Sequence, residues 1–293
     1  MCGRTGAPIL LLNASGCLDA LTAPAVATQF DAFVTKTVTP EPRAGNPPVR
    51  IAETDFGMLN SIGLANPGRD VFLNQTLPRL ASSINVPIWV SVGGFCVRDY
   101  VETCEQLTRD DVACIELNLS CPNVDEAPES AAEIVRACRQ VTANPLYAKV
   151  SPHTWDMAET VRAVEEAGVD GVSMVNTLRG VALDARLRTT LSRSVGGYSG
   201  PALKPVALAA VFAARRASSL PIVAMGGVQS GRDALELIAC GATHIALGTV
   251  LFVDVDAPAR VRDELVEEAR RAGFDRPEDA FAVALETVAR TGN

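Results

Sequence analysis

Histidine is almost missing from this chain: His153 and His244 are the only two in 293 residues. The eight cysteines, at 2, 17, 96, 104, 114, 121, 138 and 240, include no C-x-x-C pair. Structural zinc and iron–sulfur clusters need clustered nitrogen or sulfur ligands, so no metal site is expected. Basic residues are outnumbered too. Lys and Arg total 26 against 34 Asp and Glu, a formal charge of -8, with a pI of 4.9. With no basic stripe, this excludes nucleic acid as a partner. Long hydrophobic runs are lacking: the only apolar stretch near the N-terminus, 9–12, is too short for a signal-peptide core or a membrane span. The expectation is a soluble cytoplasmic enzyme whose thiols stay reduced. No composition shift, repeat or low-complexity linker divides the chain, so residues 1–293 read as a single domain.

What is present is a series of short apolar runs, at 8–13, 32–38, 87–92, 114–119, 145–150, 171–175, 221–225 and 244–250. Most are separated by segments of helical period, such as Ile134, Val135, Cys138 and Val141, or Met157, Val161 and Val164. Strand alternating with helix implies a parallel sheet, and eight such units close a (β/α)8 TIM barrel. Ser130 with Glu133 reads as a capping box, and Gly168 and Gly241 stand where helices should end. Residues 39–60 and 178–200 interrupt the alternation. They are rich in Pro, Gly and Arg, and read as long loop insertions on the C-terminal face of the barrel. Residues 257–272 and 277–289 read as closing helices, the second with Phe281, Leu285 and Val288 on one face.

Nearly every run stops in residues capable of chemistry: Ala14-Ser15-Gly16, Thr35-Lys36-Thr37, Gly93-Gly94, Lys149-Val150-Ser151, Asn176-Thr177, Gly226-Gly227 and Gly248-Thr249. The richest ending follows 114–119, where Asn118 and Asn123 flank one thiol, Cys121, and Pro122 forbids further pairing. Cys121 reads as an ionisable nucleophile or base, whereas the other seven cysteines read as small apolar residues. In a barrel all eight ends meet at one mouth. Glycine turns on the last two strands point to a phosphorylated ligand there, because exposed backbone N–H groups and a helix N-terminus suit an anion. Lys36 and Lys149 each end an apolar run. A flavin would account for them, since a cation at its pyrimidine edge stabilises the reduced ring, while carboxamides recognise a planar ring of alternating N–H and C=O groups. His153 and His244 read as structural.

Three segments together identify a resemblance: Thr35-Lys36-Thr37-Val38-Thr39-Pro40-Glu41-Pro42-Arg43-Ala44-Gly45-Asn46-Pro47, Gly57-Met58-Leu59-Asn60-Ser61-Ile62-Gly63-Leu64, and Asn118-Leu119-Ser120-Cys121-Pro122-Asn123. They resemble class 1 dihydroorotate dehydrogenases. Asn176-Thr177-Leu178, Gly196 to Pro205, Met225-Gly226-Gly227 and Gly248-Thr249 extend the likeness over nearly the whole chain, nearest to the NAD-linked branch, class 1B. The resemblance implies an FMN enzyme of pyrimidine biosynthesis that oxidises dihydroorotate to orotate. Cys121 would be the base that removes the C5 proton while hydride passes from C6 to flavin N5. Matching positions imply that Lys36, Asn60, Ile62, Gly63, Leu64, Asn118, Asn123, Asn176 and Thr177 hold the substrate. They likewise imply that Ser15, Lys36, Thr37, Asn118, Lys149, Val175, Gly200, Gly226, Gly227, Gly248 and Thr249 hold FMN.

The chain departs from that pattern in three places. The segment 124–130 is shorter than the usual lid, Ser91 stands where relatives commonly carry Asn, and Cys17-Leu18-Asp19 replaces a more aromatic, glycine-rich continuation. A related flavoprotein acting on another cyclic amide, uracil-like or from specialised metabolism, is the alternative. With neither a GxGxxG fingerprint nor clustered cysteines, the chain should not use NAD by itself. The NAD-linked likeness implies a separate subunit carrying FAD and an iron–sulfur cluster; a homodimer reducing fumarate would mark the other soluble branch.

Overall fold

Strands that face the core on both sides carry unbroken apolar sequence instead of alternation, and each of the eight runs contains a barrel strand. In this computed structural model the described residues are 8–119, 128–154 and 156–286. Their strands are β1 (Leu10–Asn13), β2 (Phe33–Val34), β3 (Ile51–Thr54), β4 (Gly57–Asn60), β5 (Ile88–Val92), β6 (Cys114–Asn118), β7 (Leu146–Lys149), β8 (Gly171–Met174), β9 (Leu178–Gly180), β10 (Gly196–Ser199), β11 (Ile222–Ala224) and β12 (His244–Leu247). The helices are α1 (Pro24–Ala27), α2 (Arg69–Val71), α3 (Leu77–Ser83), α4 (Val97–Gln106), α5 (Pro128–Arg139), α6 (Met157–Ala167), α7 (Lys204–Ala217), α8 (Gly231–Ala239) and α9 (Ala257–Arg271). Eight parallel strands run in the order β1-β12-β11-β8-β7-β6-β5-β2. A parallel bridge between Leu12 and Ala32 brings the two ends of that order together, so the sheet forms a nearly closed (β/α)8 barrel.

The seam between β1 and β2 is stitched by side chains, because β2 is too short to ladder. The buried Asn13 carboxamide donates to Val34 O and accepts from Val34 N, both at 2.8 Å, in place of a strand partner. Asp31 adds a second stitch by accepting from Leu11 N at 2.7 Å. Apolar residues such as Leu12, Trp89, Tyr147 and Val223 fill the barrel interior, with the Trp89 and Tyr147 rings 4.7 Å apart. The outward residues of the same strands pack under the helices, among them Ile115 and Leu117 against Val135, Val161 and Val164. Helix ends follow local signals. Asp156 caps α6 through Glu159 N and Gly168 ends it in the left-handed region, while Ser230 and Asp233 form a capping box on α8 and Gly241 follows that helix at φ +111°.

Several expectations need correction. The eighth run ends as a strand at Leu247, and Thr249–Phe252 coils into a 3-10 turn, because Gly248 breaks the pairing. Helix α5 begins at Pro128, so Ser130 lies inside it and is not its N-cap. The last closing segment is a 3-10 turn at Pro277–Ala280, then a bend in which Ala282 has φ +59°, then helix over 283–286. Val288 lies outside the described residues. The two insertions sit at the mouth as expected, and parts of both pair with each other. They supply an antiparallel sheet in the order β3-β4-β10-β9. Its glycines hide it from a sequence pattern while permitting close approach: a Cβ on Gly197 would stand 2.1 Å from Thr177 Oγ1.

Candidate active site

The carboxyl ends of the barrel strands and the four-stranded sheet above them enclose a cavity of about 780 Å³. Every site residue expected from the sequence that is described lines it; Cys121 and Asn123 lie outside the described residues. At the end of β2, Thr35 N donates to Trp89 O and Val38 N to Ser91 O. Three residues on this strand thus advance against two on β5, and this bulge re-aims the chain so that both Lys36 and Thr37 reach the cavity.

One wall is a hydrogen-bonded relay. Thr177 N donates to Asn176 Oδ1 (2.8 Å), Asn176 Nδ2 to Asn118 Oδ1 (3.2 Å) and Asn118 Nδ2 to Thr37 Oγ1 (3.2 Å). Thr37 Oγ1 also meets Ser91 Oγ at 3.0 Å and Ser15 Oγ at 3.3 Å. The relay fixes which end of each carboxamide is oxygen, and each amide nitrogen keeps a second N–H. The wall can therefore offer donors in a set geometry to a planar polar ring. At the other end lie Gly226-Gly227 after β11 and Gly248-Thr249 after β12. Gly227 has φ +81°, and a Cβ there would sit 2.7 Å from Lys204 N, so the turn requires glycine. This is a backbone-lined end suited to an anion.

The segment 62–64, expected on the substrate side, is held through its carbonyls: Asn46 N donates to Ile62 O, Arg43 Nε to Gly63 O and Asn66 Nδ2 to Leu64 O. Gly63 and Leu64 both have positive φ. Asn60, at the end of β4, donates to Gly197 O at 3.3 Å across the sheet. Of the lysines, Lys36 runs beside Gly16, with its Cδ 3.0 Å from where a Cβ would be, and Lys149 lies on the floor, 5 % exposed.

Three residues not expected at the site from the sequence belong here. Cys17 lines the cavity; burial pushes its thiol above the ordinary value, opposed by the charges of Lys149 and Lys36. Its position two residues beyond Ser15 was the available signal. His153 also lines the cavity and its Nε2 accepts from Arg179 N at 2.7 Å, which places its proton on Nδ1 and ties the β7 loop to β9. Glu116 lies one strand step below Asn118, 2 % exposed, with its carboxylate 3.7 Å from Lys149 Nζ. A charged residue inside an apolar strand run was its signal. His244, read as structural, accepts from Leu10 N at 3.3 Å. No cluster of three or more metal-ligating side chains occurs among the described residues, nor any helix there long and apolar enough to cross a membrane.

Fold and site together define a barrel of the oxidoreductase type, with a glycine-turn end, a carboxamide wall and two lysines in one cavity. The chain belongs to the dihydroorotate dehydrogenase family, whose family model, described as Dihydroorotate dehydrogenase, matches residues 7–268. Among curated proteins it is 44% identical over 257 residues to the Dihydroorotate dehydrogenase B (NAD(+)), catalytic subunit, of Halalkalibacterium halodurans, covering 85% of this chain and 84% of that one. It is 40% identical over 256 residues to the protein of the same name from Enterococcus faecalis, covering 84% and 82%. Among solved structures it is similar to DHODH of Eimeria tenella in complex with ferulenol, with a TM-score of 0.79 over 94% of this chain and 85% of that chain. At 23% identity, that likeness speaks to the fold alone.

Proposed function

We propose that this chain is an FMN-dependent dihydroorotate dehydrogenase of the NAD-linked class, oxidising dihydroorotate to orotate in pyrimidine biosynthesis. The observation that carries the reading is the meeting, in one cavity, of the Thr37–Asn118–Asn176 relay, Lys149 and the glycine turns after β11 and β12. The cavity fits FMN: the turn at Gly227 packs so closely on the start of α7 that it admits no Cβ and leaves bare backbone at that end, and a buried lysine, Lys149, stands on the floor beside Asn118 of the relay. Ser15, Lys36, Thr37, Asn118, Lys149, Val175, Gly200, Gly226, Gly227, Gly248 and Thr249 would hold the cofactor. When bound, FMN supplies the hydride acceptor.

The substrate is a dione ring bearing a carboxylate. The carboxamides of Asn60, Asn118, Asn123 and Asn176, with Thr177, suit its ring edges, while Lys36 and the backbone at Ile62, Gly63 and Leu64 suit its carboxylate. Cys121 takes the C5 proton; a thiol is a serviceable base near neutral pH once its surroundings favour the thiolate. The chain works in the cytoplasm, as a homodimer, and passes electrons to a separate subunit carrying FAD and an iron–sulfur cluster.

Anaerobic mixing of the FMN-loaded protein with dihydroorotate tests the reading: the flavin colour should bleach. Cys121→Ala should keep FMN yet slow bleaching by roughly 10²–10⁴, the usual worth of a positioned general base. No bleaching in the wild type would sink dihydroorotate as substrate, and a near wild-type rate in the variant would remove Cys121 from catalysis. With dihydroorotate as donor, the isolated chain should reduce a dye but hardly any NAD⁺. Brisk NAD⁺ reduction would refute the two-subunit scheme, and brisk fumarate reduction would assign the other branch.

A further inference from the structure

Lys149 and Glu116 form a charged pair inside the barrel, the lysine at the cavity floor and the glutamate below it. Lys149 is 5 % and Glu116 2 % exposed, in an interior otherwise filled by residues such as Leu12, Trp89, Tyr147 and Ala246. Register places Asn118 beside Lys149, and Glu116 beside Ser91 and Tyr147. The ammonium therefore sits in the layer that lines the cavity, and the carboxylate one layer below. Their separation, 3.7 Å between Nζ and Oε1, is an ion-pair distance but too long for a hydrogen bond.

Stability does not explain this pair. A buried ion pair recovers its desolvation cost only when further hydrogen bonds satisfy the remaining polar atoms, and apolar replacements often do as well or better. Here Glu116 Oε1 has no hydrogen-bond partner, and neither has Ser173 Oγ, beside Lys149 on β8. A carboxylate kept buried and incompletely satisfied matters through its charge on what lies above it. Removing Lys149 alone would leave a bare anion in the core; removing Glu116 alone would leave a bare cation facing the cavity.

We propose that Glu116 is a positioning residue for Lys149, holding the ammonium at the cavity floor and offsetting part of its charge, so that the pair sets the reduction potential of the bound flavin. This rests on the reading of the cavity as an FMN site. Charge near a redox ring shifts its oxidised/reduced equilibrium, because reduction adds negative charge that a nearby cation favours and a nearby anion opposes. Glu116→Gln removes the anion and keeps the shape, so bound FMN should become easier to reduce. Lys149→Met should do the reverse. The double variant removes both charges and, because Glu116 lies a layer further from the cavity, should fall between the wild type and Lys149→Met. A purely structural role would move stability without producing shifts of opposite sign.

The test has two arms. In the FMN-free protein, urea unfolding of the wild type, Glu116→Gln, Lys149→Met and the double variant forms a double-mutant cycle. Each single substitution should destabilise and the double should recover much of the loss, which also keeps the experiment sound if one single variant folds poorly. In the FMN-loaded proteins, equilibration with redox dyes gives the midpoint potential. Glu116→Gln should shift the equilibrium about tenfold toward reduced flavin, or about +30 mV for two electrons, and Lys149→Met by a larger amount the other way, because its charge is nearer. An additive cycle would overturn the pair itself. A strong coupling with potentials that do not move would overturn its reach to the flavin. Wild-type protein that takes up no FMN would overturn the site reading, and this shows at loading, before any variants are compared.

Discussion

Replacing Gly227 by alanine should separate what the glycine turn contributes to folding from what it contributes to the cofactor. Its φ of +81° lies in the left-handed region, where a residue with a Cβ pays about 1–2 kcal/mol. The added Cβ would also stand 2.7 Å from Lys204 N, 2.8 Å from Lys204 Cβ and 2.9 Å from Lys204 Cα. Two of these atoms are backbone, so no rotamer change relieves the contact and the start of α7 must shift. That start is also anchored by Lys204, whose ammonium pairs with Asp233 at 2.7 Å and Glu236 at 2.9 Å, so the shift is resisted. Overpacking of this kind costs about 1–3 kcal/mol, giving a total of about 2–5 kcal/mol by summing the two ranges. Gly273 provides the control, with φ +89° and nothing within 4 Å of its would-be Cβ, so Gly273→Ala should lose only the conformational part. Urea unfolding of the FMN-free proteins measures both. Fluorescence titration with FMN should then show affinity weakened at least about tenfold, about 1.4 kcal/mol, in Gly227→Ala and unchanged in Gly273→Ala. Equal destabilisation of the two variants would refute the packing part. Unchanged FMN affinity in Gly227→Ala would refute the phosphate cradle.

Two further outcomes follow from groups that titrate. Because burial holds the Cys17 thiol above its ordinary value of 9.0, iodoacetamide should label it slowly at neutral pH and faster as pH rises past that value, and FMN loading should protect it; mass spectrometry of the peptide carrying Cys17 reads both effects, and fast unprotected labelling at pH 7 would contradict them. Burial lowers the His244 pKa below its ordinary 6.5, so the unfolded chain takes up that proton first, and stability that is full above pH 6.5 should fall as pH drops through the window beneath it. His244→Asn should flatten that part of a plot of urea midpoint against pH; an unchanged slope would show that His244 does not carry it.

How legible the fold was depended on which face of each strand is buried. The barrel strands lie between the interior and the helices, so they appear as unbroken apolar runs, and their order follows from alternation with helical segments. Ile51–Thr54 and Gly196–Ser199 escaped because they pair over the mouth and carry no continuous apolar face. Asn13 escaped for another reason. A polar residue at a strand end reads as a site residue or a turn, and only the shortness of β2 shows that its carboxamide replaces a missing rung of the ladder.

The two ends of the site differ in the same way. The glycine end is assembled locally, each turn following its own strand, so Gly226-Gly227 and Gly248-Thr249 could be placed from the sequence alone. The end proposed for the substrate depends on pairing between distant segments: Asn60 reaches Gly197 O, 137 positions away, and Gly197 in turn approaches Thr177 closely enough to exclude any side chain. A substitution that disturbs β4 against β10 therefore moves Asn60 and Thr177 together, though neither is changed. A change in a glycine turn should instead weaken the cofactor and leave the substrate wall in register. The relay through Asn176, Asn118 and Thr37 starts from Thr177, the residue that Gly197 approaches. Its members come from three strand endings that look independent in the sequence, and only their hydrogen bonds show that they act as one surface.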